Sequence, residues 1–592
     1  MKAPGWERHR MAFVRKAALA VLGSILAGNG MSMGRPSPGD VDEAFRPVID
    51  PFVVTATVQA DHGILVALRT GGTGRNHLVR LLPNGDPDPG FEADVRGDVS
   101  SIIVLGDGGI VLGGAFRSIG GVERVFAARL HPDGALDAGF DPRVSGEGSF
   151  TGVYTTLLLP DGRFILGGIF DTVGGIERAH LARIESDGSV DPAFDPRVSA
   201  DGGFASVNAL VRQSDGRILV GGGFTGIDGV ARTNLARLHP DGSLDPDFNP
   251  GVSGGEFGGV YAIREQPDGM ILVGGIFHSV AGTARTHMAR LHPDGSLDMG
   301  FDPQISGAGT VGVFTMGLQT DARLVIGGFF KAVGGIARNA MARLLPDGTI
   351  DAAFAASAYA EVAAPVVSGV LIQGDGSVVI GGRFAGVNGQ PRANLALLKN
   401  DAATQNLAVT AADRIEWLRG GASPEAEGVA FDLSTDGGMI WSALGAGVRI
   451  PGGWQLTDLA LPVTGSVRAR ARVTDGAVTS GLVETLADYA LMSPPPEFTA
   501  VTLSGDGSLR MEFTAPAGET FTVLATDLLG LPRSQWMPMG PARELVPGEY
   551  EFVGSATPGL PFRFYVVRSE PRLRLRTPAS RLHLPAKPAT GN

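Results

Sequence analysis

Cysteine is absent from all 592 residues, and tryptophan and tyrosine are scarce at five and six. Without cysteine there is no disulfide framework, no lipid-anchoring cysteine, no thiolate chemistry and no cysteine-based metal site. Stability must come from burial and sheet pairing. Long apolar runs are missing too. The stretch Ala17 to Ala27 is apolar but too short to cross a bilayer as a helix, and it follows the basic residues Arg8, His9, Arg10, Arg15 and Lys16. That order predicts a signal peptide over 1–33, cleaved between Ala27 and Gly34. It predicts export to a periplasm, the cell surface or the medium, with no transmembrane segment in the mature chain. A formal charge of -12 and a pI near 5.4 argue against nucleic-acid binding. No His-Glu-x-x-His, phosphate loop or Gly-x-Ser-x-Gly elbow occurs, so the sequence offers no catalytic residue, metal or cofactor.

Repetition is what the sequence has. The unit Val153 to Phe194, VYTTLLLPDGRFILGGIFDTVGGIERAHLARIESDGSVDPAF, returns with small changes before and after itself. One marker is an Asp that opens a turn before an apolar run, at Asp61, Asp107, Asp161, Asp215, Asp268, Asp321 and Asp375. A second is an Asp three residues before a Phe, ending at Phe45, Phe91, Phe140, Phe194, Phe248, Phe301 and Phe354. Seven units of about fifty residues are the period of a propeller or solenoid. Each unit holds four β-prone runs; in the one quoted they are Val153 to Leu159, Arg163 to Phe170, His180 to Glu185 and Ser189 to Phe194. Near-continuous apolarity in the first two suits strands covered on both faces. The Gly-Gly pair in the second implies close backbone approach near a crowded axis.

The ends of the repeat region argue for a closed ring. The seventh unit stops at Leu398-Lys399, short of its last strand, while Gly39 to Phe45 matches that strand and precedes the first full unit. An N-terminal strand that completes the last blade removes open sheet edges. The predicted fold is therefore all-β: a seven-bladed β-propeller over 40–401 closed by an N-terminal strand, followed by two small β-sandwich modules. The strings DGRILVGG-F and LARL-PDG-LD-F, repeated over Asp40 to Asp401, resemble the bacterial delta-60 repeat family of secreted β-propellers. The resemblance implies the fold and carries no reaction, ligand or catalytic residue.

Charged repeat positions read as framework. Arg75, Arg124, Arg178, Arg232, Arg285, Arg338 and Arg392 hold one position, five residues before a second Arg in all but the last unit. Asp42, Asp88, Asp137, Asp191, Asp245, Asp298 and Asp351 stand opposite. A set present in every blade suits pairing of Arg to Asp or to turn carbonyls, with a ring for an anionic polymer as the alternative. The Asp-Gly turns lack the clustered oxygen ligands of a calcium loop. His131, His239 and His292 fall on different blades, too far apart for one metal. Two connections per unit are longer than the Asp-Gly hairpins, as in Asp171 to Glu177 and Ser199 to Ala205. They place a variable face opposite the stereotyped one. Glu147, Phe150, Asp201, Phe204, Glu256, Phe257 and Glu361 differ between units on that side. Aromatic rings with carboxylates suit sugar stacking and hydroxyl bonding, whereas the plainer reading is solvated loop with Phe packed between blades.

Beyond Lys399 the pattern changes. Alternating runs such as Arg414 to Leu418, Gly428 to Leu433 and Ser466 to Val473 predict an immunoglobulin- or fibronectin-like sandwich over 405–490. Trp417, Trp441, Trp454 and, further on, Trp536 read as core aromatics. Ser434-Thr-Asp436-Gly-Gly438-Met-Ile-Trp441 is similar to the Asp box of sialidases, a folding element in that family. The Pro-rich linker Ser493 to Pro496 leads to a second small sandwich over 497–568, and a basic tail over 570–592 reads as disordered. These readings predict a monomeric, non-enzymatic exported scaffold that binds an extracellular polysaccharide or protein. A propeller-based glycosidase or lyase and a structural surface protein are the alternatives.

Overall fold

A computed structural model describes residues 37–569 apart from 50–51, 70–77, 202–203, 255–257, 477, 492–495, 505–507, 516, 518–519, 527–534 and 556–563. The predicted signal peptide, the linker apart from Pro496 and the predicted basic tail lie outside the described residues, as do Arg75, Glu256 and Phe257. Among the described residues there is no α-helix, and no helix long and apolar enough to cross a membrane.

Seven blades form a closed β-propeller. In the third, Gly152–Leu158, Phe164–Ile169 and Leu181–Ile184 are antiparallel neighbours, and Gly152–Leu158 is innermost. The fourth run has shrunk to one bridge, Ile184 to Val190, after which Phe194 turns into the core. Burial follows the sequence closely: Phe164, Ile165, Leu166, Leu181, Ile184 and Phe194 are all buried. Each such side chain contributes about 1.5–3 kcal/mol of transfer free energy before conformational entropy is subtracted.

The Gly-Gly pair marks the close approach expected of it, and each glycine meets a different neighbour. A Cβ on Gly167 would lie 2.5 Å from Val207 Cγ1 of the next blade, and one on Gly168 would lie 2.1 Å from the carbonyl of Gly152. The first glycine lets neighbouring blades touch; the second sits against a β-bulge in the inner strand. Ring closure repeats the first contact. Val53 of the first blade lies 2.6 Å from where a Cβ on Gly381 of the seventh would stand, and Ser368 Oγ donates to the Val53 carbonyl at 3.0 Å. Val41 bridges Leu398, with Gly39 N to Lys399 O at 2.7 Å and Lys399 N to Asp40 O at 2.8 Å, so the N-terminal strand completes the seventh blade.

From the second blade to the seventh, the connection within the blade is not a variable loop. In the third it is a hairpin, Thr172–Val173 against Ile176–Glu177, turned through Gly174 and Gly175 at φ of 60° and 79°. Val198–Ser199 pairs with the equivalent hairpin strand Gly226–Ile227 of the next blade. Among the described residues, the connections between blades are the ones that vary.

The first sandwich has two sheets. One contains Ala403–Ala411, Arg414–Gly421, Gly453–Leu456 and Val448–Ile450; the other contains Ser442–Ala446, Gly428–Ser434, Thr464–Thr474 and Thr479–Ala490. Trp417 and Phe431 are fully buried between them, and Trp454 is buried beside them. Trp441 is half-buried beneath the Arg468 guanidinium, 4.5 Å from its ring centroid, and Trp536 is half-buried, so these two are not core aromatics. The propeller and this sandwich form one compact unit. Thr479–Ala490 continues the second blade's sheet in parallel, Ile102 opposite Thr479. Residues 421–425 bond to the sixth blade through Thr320 N to Ser423 O at 2.9 Å and Glu425 N to Leu318 O at 2.8 Å.

A separate unit contains the second sandwich. Its sheets are Glu497–Leu503, Ser508–Thr514, Glu549–Ser555 and Arg543–Val546, and Met537–Pro541, Phe521–Thr526 and Phe564–Ser569. Phe513 stacks on Tyr550 at 5.4 Å, and Phe521 meets Tyr550 edge-on at 4.9 Å.

Candidate functional site

The two repeating arginines do different things. Arg183, the second of its unit, donates from Nε to Asp191 Oδ2 at 2.7 Å, covers the Phe194 ring at 4.6 Å and reaches the Pro240 carbonyl of the next blade at 2.5 Å. Arg129, Arg237 and Arg290 repeat the carboxylate contact with Asp137, Asp245 and Asp298, each at 2.7 Å. Burial works against the Asp191 charge, but the Ala193 amide and Arg183 outweigh it and hold the carboxyl below its usual range. Arg178 takes carbonyls instead: Glu177 O at 2.7 Å and Pro192 O at 3.1 Å. Arg124, Arg232 and Arg285 each bond likewise to the preceding carbonyl at 2.9 Å and to one at the turn, Ala138, Pro246 and Met299 respectively; Arg338 bonds to Ala337 O at 2.9 Å. These guanidinium groups bind the frame.

The Asp-Gly turns close on themselves. Asp187 Oδ1 accepts the Ser189 amide at 2.8 Å and its hydroxyl at 2.7 Å. The Asp-box segment does the same, with Asp436 Oδ1 accepting Ser434 Oγ at 2.7 Å and the Met439 and Ile440 amides at 3.0 Å.

On the opposite face, Phe150 and Phe204 come from consecutive inter-blade connections and are 67% and 78% exposed. Their rings meet edge-on at 6.5 Å, so the structure brings them together and does not pack them between blades. Glu147 and Asp201 lie on the same two connections, both exposed, with their amides fixed by Asp171 Oδ2 at 3.0 Å and Thr225 Oγ1 at 2.9 Å. Glu361 is on the connection into the seventh blade, across the ring.

Inward of these loops lies a group of residues that the sequence reading passed over. Every inner strand has a β-bulge at one place, between Val153 and Thr155 in the third blade, and the extra residue falls out of the pairing register. Those residues are Val54, Ser100, Tyr154, Asn208, Tyr261, Phe314 and Ser368. Tyr261 and Phe314 meet edge-on at 5.6 Å across two blades. The Tyr154 hydroxyl donates to the Phe150 carbonyl, tying the mouth to the loop outside it. Burial raises the pKa of both tyrosines, and Tyr154 in the third blade also feels the phenol of Tyr261 in the fifth. The signal was present in each unit: a Val, one variable residue, then Thr, Ser, Ala or Gly.

The other end of the channel is closed. The hairpin joining Thr464–Thr474 to Thr479–Ala490 enters it from the Asp-Gly side. Asp475 O accepts Met316 N at 2.8 Å, Gly476 O accepts Ile263 N at 2.6 Å, and Val478 O accepts Ser101 Oγ at 2.7 Å. The buried Asp475 carboxylate holds the tip by accepting Val478 N at 2.9 Å and Thr479 N at 3.0 Å. Ser101 and the residue after Phe314 are one step along the strand from the bulges. The aromatic mouth is thus a recess floored by the hairpin.

Residues 64–91, 105–140, 159–194, 213–248, 266–301, 319–354 and 373–401 match the family described as a domain of unknown function (DUF5122) β-propeller. No curated protein matches the chain. Among solved structures, PorZ, a surface component of the type-IX secretion system of Porphyromonas gingivalis, aligns with a TM-score of 0.31 at 10% identity. That alignment covers 73% of this chain and 68% of PorZ. A mutant of Salmonella alpha-2-macroglobulin gives a TM-score of 0.15 at 11% identity, covering 81% of this chain and 34% of that one. The N-terminal eight immunoglobulin domains of the Down syndrome cell adhesion molecule give 0.13 at 10%, over 90% and 74%. At these scores the three likenesses carry no argument about activity. What the chain does share with known proteins is its repeat: seven of its segments match the DUF5122 β-propeller model.

Proposed function

We propose that this chain is an exported, monomeric binding scaffold that receives an extracellular polysaccharide or protein segment at the recessed loop-side mouth of its propeller. The convergence of Tyr154, Tyr261 and Phe314 on a channel blocked at its far end carries this reading. Aromatic faces present a large apolar area with little conformational entropy to lose, and Tyr adds a hydroxyl for a polar ligand. Phe150, Phe204, Glu147 and Asp201 form the outer rim on one side, with Glu361 opposite. Export rests on the basic and apolar N-terminal segment and on the delta-60 resemblance. The immunoglobulin-like first module serves as the plug, leaving the second module and the basic tail for attachment to an envelope.

The test is a polysaccharide and protein binding screen on the full chain, with product analysis of every hit by mass spectrometry. Binding without turnover that falls at least tenfold in Tyr261→Ala, a loss of about 1.4 kcal/mol or more, supports the scaffold reading. Turnover would establish the glycosidase or lyase alternative and direct mutagenesis to the rim carboxylates. No binding by any hit class would leave the structural surface role.

A further inference from the structure

On the opposite face from that mouth, the first sandwich carries a charged side chain on its apolar side. Arg414–Gly421 alternates so that Ile415, Trp417 and Arg419 all point inward and are buried. A guanidinium in such a place is costly unless acceptors surround it. Arg419 lies over the Trp417 ring, 4.7 Å from its centroid, which stabilises the charge but satisfies no N–H. Its Nε, Nη1 and Nη2 find no hydrogen-bond acceptor among the described residues. The neighbouring carboxylate is Glu425, whose Oε1 already accepts Arg449 Nη2 at 2.7 Å and Ala426 N at 3.0 Å.

These groups line a cavity of about 460 Å³ whose wall also includes Thr320, Pro451, Gly453 and Trp454. Two guanidinium groups and one carboxylate leave the lining with an excess positive charge. Burial pushes Arg419 down to about 10, with Glu425 opposing the shift and Arg449 adding to it, so the group is still a cation at neutral pH. A buried cation with three unused donors, a second cation at the rim and room for a small molecule are the elements of an oxyanion site, in which a planar guanidinium grips two oxygens at once.

We propose that this cavity binds a small oxyanion, either a carboxylate such as that of a sugar acid or an inorganic sulfate or phosphate, with Arg419 as the buried anchor and Arg449 at the rim. The site is independent of the loop-side mouth and does not rest on the proposed function.

The experiment titrates the full chain separately with glucuronate, sulfate and phosphate at constant ionic strength, against chloride, following the thermal midpoint and tryptophan emission. At least one of the three raises the midpoint saturably and perturbs the emission of Trp417 and Trp454. Glucuronate alone identifies a sugar-acid carboxylate; sulfate or phosphate identifies the inorganic source. Arg449→Gln weakens the apparent affinity by about tenfold, the loss of one charge-assisted bond. Arg419→Met abolishes the response while leaving the ligand-free midpoint equal or higher, because it removes an unsatisfied buried charge. Should Arg419→Met fail to fold, Arg449→Gln decides alone. A midpoint no higher in any oxyanion than in chloride, or a shift that persists undiminished in Arg449→Gln, overturns the proposal.

Discussion

The two faces of the propeller are built from the same seven repeats and behave oppositely. On the Asp-Gly face each carboxylate is held by its own turn amides, each second-position arginine from the first to the sixth blade reaches the following blade or its junction, and the first sandwich bonds to the ring. On the loop face the connections differ from blade to blade, Phe150 and Phe204 stand in solvent, and the bulged residues range from Ser to Tyr. Sequence repeats where every blade must make the same bond, and it diverges where the frame leaves a side chain free. The face that looks richest in charge is therefore the structural one, and the proposed recognition site lies on the face whose residues do not repeat.

The largest expected effect comes from breaking the repeated bonds. Removing Arg183 leaves the buried Asp191 with only the longer Arg163 ion pair at 3.1 Å and strips the contacts to Phe194 and Pro240, so Arg183→Ala costs about 3–5 kcal/mol in denaturant unfolding. The same pairs set the acid limit. Asp88, Asp137, Asp191, Asp245 and Asp298 all sit below their unfolded value of 3.8 in the folded chain. Their contribution is complete above that value and is lost as pH falls through the lower folded one. Burial also lowers the pKa of His180, and that of His287 to about 4, so stability should begin to fall below about pH 6.5, where the unfolded chain binds these protons, and fall more steeply below about pH 4 as the carboxylates protonate. A slope that does not steepen below about pH 4 would assign the acid limit to groups other than these carboxylates.

A smaller effect sharpens the role of the plug. Asp475→Ala leaves the Val478 and Thr479 amides without their acceptor, a loss of about 1–3 kcal/mol. Hydrogen exchange should then quicken first at the Ile263 and Met316 amides, which bond to the hairpin tip. Unchanged exchange at those two positions would mean that the tip does not hold the inner strands.

Most of the ring was legible because its causes are local and repeated: turn residues, apolar runs and the displaced final strand each recur or complete a pattern. The framework role of the arginines followed from their presence in every unit, yet which arginine takes Asp191 did not, since both lie near it in sequence and only the twist of the blade separates them. The hairpin plug left no such trace. Thr474 to Thr479 reads as an ordinary turn, and its partners Ser101, Ile263 and Met316 lie hundreds of residues away in the chain. The bulged positions were visible as a single variable residue inside a conserved-looking Val-x-small triplet, but a β-bulge is a property of pairing, and pairing register is what a lone strand does not display. Glu256 and Phe257 fall outside the described residues, so the rim is traced from Glu147, Phe150, Asp201, Phe204 and Glu361.

The smallest change in stability should come from the residue that matters most to the comparison. Phe204 is exposed, and its one ring contact, with Phe150, is itself in water, so Phe204→Ala should leave the unfolding free energy within about 0.5 kcal/mol of the parent. If the loop face is the recognition face, the same variant should lose several-fold in affinity for whatever polysaccharide or protein the screen identifies, while Arg124→Ala on the frame should alter stability and leave affinity alone once the protein is folded. A Phe204→Ala protein that is destabilised by more than about 1 kcal/mol, or that binds as well as the parent, would remove the exposed pair from the proposed site and confine that site to the inner ring of Tyr154, Tyr261 and Phe314.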